Sequence, residues 1–428
     1  MSYNDLTFSN SLESTDPWIW ANNPYHTILG LGSPHYYYAD PEARRITRNL
    51  FRYILSRWGY ATNIMCWEFW NEVNNACSDY KRFEEEVLDW HEDMLALTRA
   101  IDPFDHCIST SMGSVKRNPV LYAELFENLD IVQQHNYQNI NKAKSKEQFS
   151  YILYDLGKNG HDDYLEKPFF MGEFGFGLGR DTLATYYHKD PWGVDLHNSI
   201  WSSLFSTSMG PASFWWWNYM DNNHLFGLYY PLLVFCNNLP ILSDSFEANT
   251  TGRDSLHMLL FDNNIETYYM YNTSEDTILG WCQDTAYAYQ SLRWLTDSVR
   301  MVTDSTGEKL HFVSNGVLDS LGYVYTKDPN KKPDASSSSN LIKIPVSTKA
   351  VGTHYQLRWF NAETGLWIAN AGVLGATVHQ EADGKKYIYI YFPYTIRDVS
   401  NHTIYNTFGD AVFTLYCDPN PRRFFKER

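Results

Sequence analysis

Between residues 40 and 220 two periodicities alternate, and that alternation limits the fold more than any other feature of the chain. RFEEEVLDWHEDMLALTRAID sets Phe83, Val87, Trp90, Met94, Leu97 and Ile101 at spacings of 4, 3, 4, 3 and 4, which is one apolar stripe along a helix. Glu84, Glu85 and Glu86 suit the positive end of that helix's dipole. Asp40-Pro41 reads as an N-cap followed by a first helical residue, opening PEARRITRNLFRYILSRWG. Between and after these come the apolar runs NIMCWEFW, HCISTSMG (106–113), DIVQQHNYQ (130–138), PFFMGEFGFG (168–177) and ASFWWWNYMD (212–221), each read as a strand. Helices are expected near 118–128, 145–158 and 195–209. Strand-helix repetition of this kind implies parallel strands joined by helical crossovers.

After about residue 250 the texture changes to short Tyr-rich alternating runs, TYYMYN, YQLRWF, LWIANAG, KYIYIYFP and AVFTLYC, separated by turn residues. These predict an antiparallel β-sandwich. The expected division is therefore 1–250 and 251–428, with KDPNKKPDASSSSN (327–340) as a loop inside the second part.

Charge and composition narrow the partners. A formal net charge of −16 argues against nucleic acid, which needs clustered Lys and Arg. The 32 Tyr and 15 Trp supply rings that stack on sugar faces as readily as they fill β-strands. The six Cys form no CxxC pair, so zinc or thioredoxin-type chemistry has no support. No apolar run is long enough to span a membrane, and MSYNDLTF does not read as a signal peptide. Sequons stand at Asn249, Asn272 and Asn401.

In parallel α/β folds function gathers at the C-terminal ends of strands. Asn71 and Glu72 end one expected strand, His135 and Tyr137 another, and Glu173 a third inside MGEFG. Asn218 and Asp221 follow Trp215-Trp216-Trp217. Two carboxylates from separate strands, with rings beside them, suit glycosidic bond cleavage: one acid protonates the leaving oxygen while the other carboxylate attacks the anomeric carbon. The glycines beside Glu173 permit close backbone approach. Glu68, which a regular strand would put on the face of Trp70 and Glu72, is expected to be an ion-paired interior residue. Tyr36-Tyr37-Tyr38, Trp18 and Trp20 are expected to pack their loop rather than line subsites.

WEFWNEV, HNY, MGEFG and FWWWNYMD, in this order and spacing, resemble the retaining (β/α)8-barrel glycoside hydrolases, and most nearly the cellulase-like family 5 group. NPYHTILG and the stretch from ADPEARR to WNEVNN resemble a subgroup of large, often bacterial members. The resemblance covers about residues 17–235; the region after 250 is similar, less specifically, to the C-terminal β-domains of such enzymes. It implies a TIM-type barrel, Glu72 as acid/base ending the fourth strand, and Glu173 as nucleophile ending the seventh. It also implies Asn71 as partner of the sugar 2-hydroxyl, His135 as a substrate-binding residue, and Tyr137 as the tyrosine that orients the nucleophile. A tryptophan of the eighth strand, taken as Trp217, becomes the sugar-stacking platform; alternation puts Trp215 on its face and Trp216 on the other. The family's Pro after Asn-Glu is Val73 here. A carbohydrate substrate, no metal or organic cofactor, and secretion or cell-surface display are implied as well.

One departure is large. If NIMCWEFWNE is the fourth strand, a single helix precedes it, so three βα units are missing, and the family's second-strand Arg and third-strand His have no counterpart. The expectation is an N-terminally incomplete barrel, whose missing part would be its natural partner. The alternatives to a hydrolase are a non-catalytic carbohydrate-binding protein and an inactive fragment of such an enzyme.

Overall fold

A computed structural model describes residues 20–76, 83–113, 119–139, 149–163, 167–177, 193–237, 239, 246–251, 265–284, 316–319, 322–327, 341–362, 365–367, 374–393, 395–397, 403–405 and 410–417. Its contacts divide the chain into two compact units, one drawn from 1–137 and 159–175, the other from 138–158 and 176–428.

Within the first unit, α1 (Pro41–Trp58) starts as the sequence requires: Asp40 stays extended and its carboxylate accepts the Ala43 N–H at 2.8 Å. Its arginines make surface ion pairs, Arg45 with Glu42 and Arg48 with Asp93, so this is a solvated face. Four strands follow: β1 (Cys66–Glu68), β2 (Cys107–Met112), β3 (Ile131–Asn139) and β4 (Phe169–Gly177). They lie side by side in chain order, with β1–β2 and β2–β3 parallel. The helices α2 (Glu84–Ile101), α3 (Pro119–Glu127) and α4 (Phe149–Asp163) connect them. The α2 stripe is core: Val87, Trp90, Met94 and Leu97 are all buried. Trp90 is its centre, with the Trp70 ring at 5.6 Å, Tyr38 at 5.8 Å, Tyr37 at 6.0 Å and Phe51 at 6.3 Å. Buried rings in tilted and edge contacts of this kind contribute more than their area alone. Tyr37, Tyr38 and Trp20 are buried, so for these three the packing reading holds; Trp18 lies outside the described residues.

One strand expectation holds only in part here, and another fails. NIMCWEFW forms only three residues of strand, because both Phe69 and Trp70 pack on Trp90, at 6.4 and 5.6 Å, instead of alternating across the sheet. ASFWWWNYMD is not a strand either. Trp217–Asn222 is a short helix, α6 of this chain after α5 (Val194–Leu204), and the Asn223 amide caps the Tyr219 carbonyl at 2.9 Å. Rings favour a strand only where a pleated neighbour receives them, and in this run only Phe214 makes a single bridge. The described residues hold a half-barrel of four strands in chain order, with β1–β2 and β2–β3 parallel.

The second unit carries an antiparallel sheet of eight strands in the order β10-β13-β12-β11-β16-β7-β6-β5. These are β5 (Phe246–Thr251), β6 (Ile265–Asn272), β7 (Thr277–Asp284), β10 (Leu341–Val346), β11 (His354–Phe360), β12 (Leu374–Gln380), β13 (Lys386–Tyr391) and β16 (Asp410–Tyr416). The pairs β8 (Gly316–Asp319) with β9 (Gly322–Lys327), and β14 (Thr395–Arg397) with β15 (Thr403–Tyr405), stand apart from it. The edge strands β5 and β10 approach each other, so the sheet curls upon itself and encloses a core that includes Ile344, Leu357, Trp359, Ile388 and Phe413. The sequence expectation of two faced sheets becomes one curled sheet. In the same unit His197 of α5 and Asp410 of β16 are bonded at 2.7 Å, both buried. Apart from Lys327, the loop read at 327–340 lies outside the described residues.

Candidate active site

The ends of β1, β3 and β4 bring four of the expected residues together in the first unit. β1 stays in register with β2 beyond Glu68, through Phe69 N–H to the Ser109 carbonyl and Ser111 N–H to the Trp70 carbonyl, both 2.9 Å. The chain then turns sharply. Glu72 adopts φ 54°, the left-handed region that residues with a Cβ rarely enter, and its N–H donates to Ser111 Oγ at 2.9 Å. Just beyond, the Gly113 N–H donates to Asn74 Oδ1 at 2.7 Å, tying the next turn to the end of β2.

His135 occupies the middle of the group. Its Nδ1 lies 2.9 Å from Glu72 Oε1 and 3.2 Å from Glu173 Oε2. Tyr137, two residues along β3, donates its hydroxyl to Glu173 Oε2 at 2.6 Å. Histidine is 1 % exposed, while the two glutamates keep 15 % and 14 % of their side chains accessible. The arrangement is thus nearly dry yet open to a ligand on the carboxylate side. Burial alone would push the His135 imidazole down. Hydrogen bonds to Glu173 and Glu72, and their charges, outweigh it and hold the ring up at about 9. Burial, then the Glu173 charge, pushes Tyr137 far above the usual phenol range, so it remains a donor.

Asn71 is beside the group, its Oδ1 3.4 Å from Ser111 Oγ. Glu68 reaches solvent at the sheet edge but is surrounded by protein. That surrounding raises its carboxyl, and the nearby His135 charge opposes the rise. The expected interior ion-paired residue is thus an exposed one at the last position of β1. Gly172 allows the close approach expected of MGEFG: a Cβ there would fall 1.9 Å from Gln133 Oε1. Trp217 belongs to the second unit, where it is 66 % exposed.

Glu72, His135 and Glu173 each offer one donor atom, all within 4.8 Å of one another, and among the described residues they form the group that could hold a metal ion. A metal would first have to displace the proton that His135 Nδ1 shares with the two carboxylates. The present geometry is a hydrogen-bonded triad. Ser111 and Gln133 were not singled out by the sequence; their only signal is the polar Ser-Thr-Ser within HCISTSMG and the Gln pair within DIVQQHNYQ.

No protein-family model matches the chain, and no curated protein matches it. Among solved structures it is similar to the endo-beta-1,4-mannanase from Thermotoga petrophila, at 14 % identity over 58 % of this chain and 70 % of that one, with a TM-score of 0.33. It is similar also to Bacteroides uniformis beta-glucuronidase 2, at 10 % identity over 88 % of this chain and 56 % of that one, TM-score 0.36. A calcium binding mutant of the same glucuronidase matches at 10 % identity, over 88 % of this chain and 54 % of that one, TM-score 0.31. The chain spans little more than half the length of the glucuronidase chains. These structural neighbours are glycoside hydrolases.

Proposed function

We propose that the chain carries the acid/base and nucleophile of a retaining β-glycoside hydrolase acting on a polysaccharide or oligosaccharide. The observation that carries this reading is the meeting of Glu72 and Glu173, from separate strands, with their nearer oxygens and His135 Nδ1 all within 4.8 Å. Retaining enzymes hold their two carboxyl groups about 5–5.5 Å apart and inverting ones about 6.5–9.5 Å. In this reading β1 to β4 are the fourth to seventh staves of an eight-stranded barrel, which the family resemblance also requires. Asn71 remains its proposed 2-hydroxyl partner.

The chemistry follows from the contacts. Glu173 attacks the anomeric carbon with the lone pair of one oxygen, while Tyr137 bonds Oε2 and fixes the carboxylate plane. Glu72 gives its proton to the departing oxygen, so that the glycosidic bond breaks as the glycosyl-enzyme ester forms. Water then enters, Glu72 takes its proton, and the ester opens with the original anomeric configuration restored. His135 Nδ1, 2.9 Å from Glu72 and 3.2 Å from Glu173, holds the two carboxyl groups in place beside each other.

Glu72→Gln and Glu173→Gln should each lower hydrolysis of aryl β-glycosides by about 10²–10⁴-fold or more. Azide should restore turnover to Glu173→Ala and yield the α-glycosyl azide. Parental turnover in both Gln variants would refute the assignment. Sugar binding without any turnover in the unaltered chain would move the non-catalytic reading ahead.

A further inference from the structure

The acid/base tip has an unusual backbone, and something must hold it. L-residues other than Asn and Asp seldom enter the left-handed region, yet Glu72 sits there at φ 54°. The group directly engaged with that backbone is Ser111, fully buried at the end of β2, whose Oγ accepts the Glu72 N–H at 2.9 Å. The neighbouring contacts anchor the same turn from the other side: Ser111 N–H and Thr110 Oγ1 both donate to the Trp70 carbonyl, at 2.9 and 3.0 Å.

On its other side the Ser111 hydroxyl faces the Trp70 carbonyl and Asn71 Oδ1, both at 3.4 Å, so it meets the two residues that lead into the turn as well as Glu72 itself.

We propose that Ser111 is a positioning residue: it locks the turn at Glu72 and so aims the Glu72 carboxyl at the leaving-group oxygen. The proposal rests on the acid/base reading of Glu72. A carboxyl released from this lock still occupies the site but delivers its proton from the wrong place. A misplacement of about 1 Å costs on the order of 10²-fold in rate, and only for substrates that need the proton.

The test is therefore leaving-group dependence. We would measure kcat/KM for Ser111→Ala and Ser111→Thr on aryl β-glycosides graded from phenyl, a poor leaving group, to 2,4-dinitrophenyl, which departs unprotonated. Ser111→Ala should lose about 10²-fold on the phenyl glycoside and little on the dinitrophenyl one, whose continued turnover also reports a folded protein. Ser111→Thr, which keeps the hydroxyl, should recover most of the phenyl activity. An equal loss on all leaving groups, or none, would overturn the proposal. Glu72→Gln run in parallel separates the two ideas. If it shows no leaving-group dependence, Glu72 is not the acid and the functional reading itself falls; if it does and Ser111→Ala does not, only the positioning role falls.

Discussion

The His135 proton makes a quantitative prediction about pH. The imidazole is raised from an ordinary 6.5 to about 9 by Glu173 and Glu72, in spite of its burial. At about 1.4 kcal/mol per pH unit, that rise corresponds to about 3 kcal/mol of folding free energy. The sign follows from proton counting. Between 6.5 and 9 the folded state keeps a proton that the unfolded chain has lost, so the stabilisation is complete below 6.5, declines as pH rises, and is gone above 9. The perturbation is His135→Gln, which keeps a polar side chain and removes the titration. Urea unfolding of both proteins at pH 6 and pH 10, followed by the fluorescence of Trp70 and Trp90 in the same unit, gives their stability difference at each pH. Groups away from Glu72, Glu173 and Tyr137 titrate alike in the two proteins and cancel. The difference should shrink by about 3 kcal/mol between the two pH values, and the ¹³C-labelled His135 ring should titrate near pH 9. A difference that does not change with pH, or a ring that titrates at or below 6.5, would refute the argument that the two glutamates hold this proton.

Two further predictions concern packing. Gly172→Ala would put a Cβ 1.9 Å from Gln133 Oε1 and 2.6 Å from its Cδ, and overpacking of this kind costs about 1–3 kcal/mol; thermal melts should show that loss and its recovery in the double variant with Gln133→Ala, whereas a single variant as stable as the parent would count against the contact. In the second unit, Asp410 Oδ2 accepts from His197 Nε2 at 2.7 Å and also from Trp281 Nε1. Asp410→Ala removes the carboxylate that both share and should cost about 3–5 kcal/mol, read as an early unfolding transition of the curled sheet; an unshifted transition would contradict it.

Much of the first unit is legible because its signals are local. Asp40-Pro41 needs only its own side chain and the next turn to cap a helix, and it does so. The stripe from Val87 to Leu97 needs only a face to bury, and it finds one. DIVQQHNYQ and PFFMGEFGFG fall within a residue of β3 and β4 for the same reason. What fails depends on partners distant in the chain. Alternation in YQLRWF and KYIYIY says that one face is buried, but not that β11 pairs with β16 and β12 in a single curled sheet. The triple tryptophan reads as a strand by propensity, yet propensity for a sheet is a fit to neighbouring strands, and Trp217 opens a helix instead.

The site divides along the same line. Identity and order of Glu72, His135, Tyr137 and Glu173 could be read because each is a polar residue ending an apolar run, and strand ends converge in a parallel sheet. The left-handed conformation of Glu72 could not. Left-handed backbone is the habit of glycine and, less often, of asparagine, so a reader of FWNEV would put the turn at Asn71. Here the glutamate takes it, because Phe69 and Trp70 both commit to Trp90 and end the alternation early. The next residues must then reverse direction within the reach of β2, whose Ser111 meets the Glu72 N–H. The strain at the tip is thus a consequence of packing a whole helix away from it. The hydrogen bond that offsets it comes from a strand some forty residues later, which no local pattern in WEFWNEV could announce.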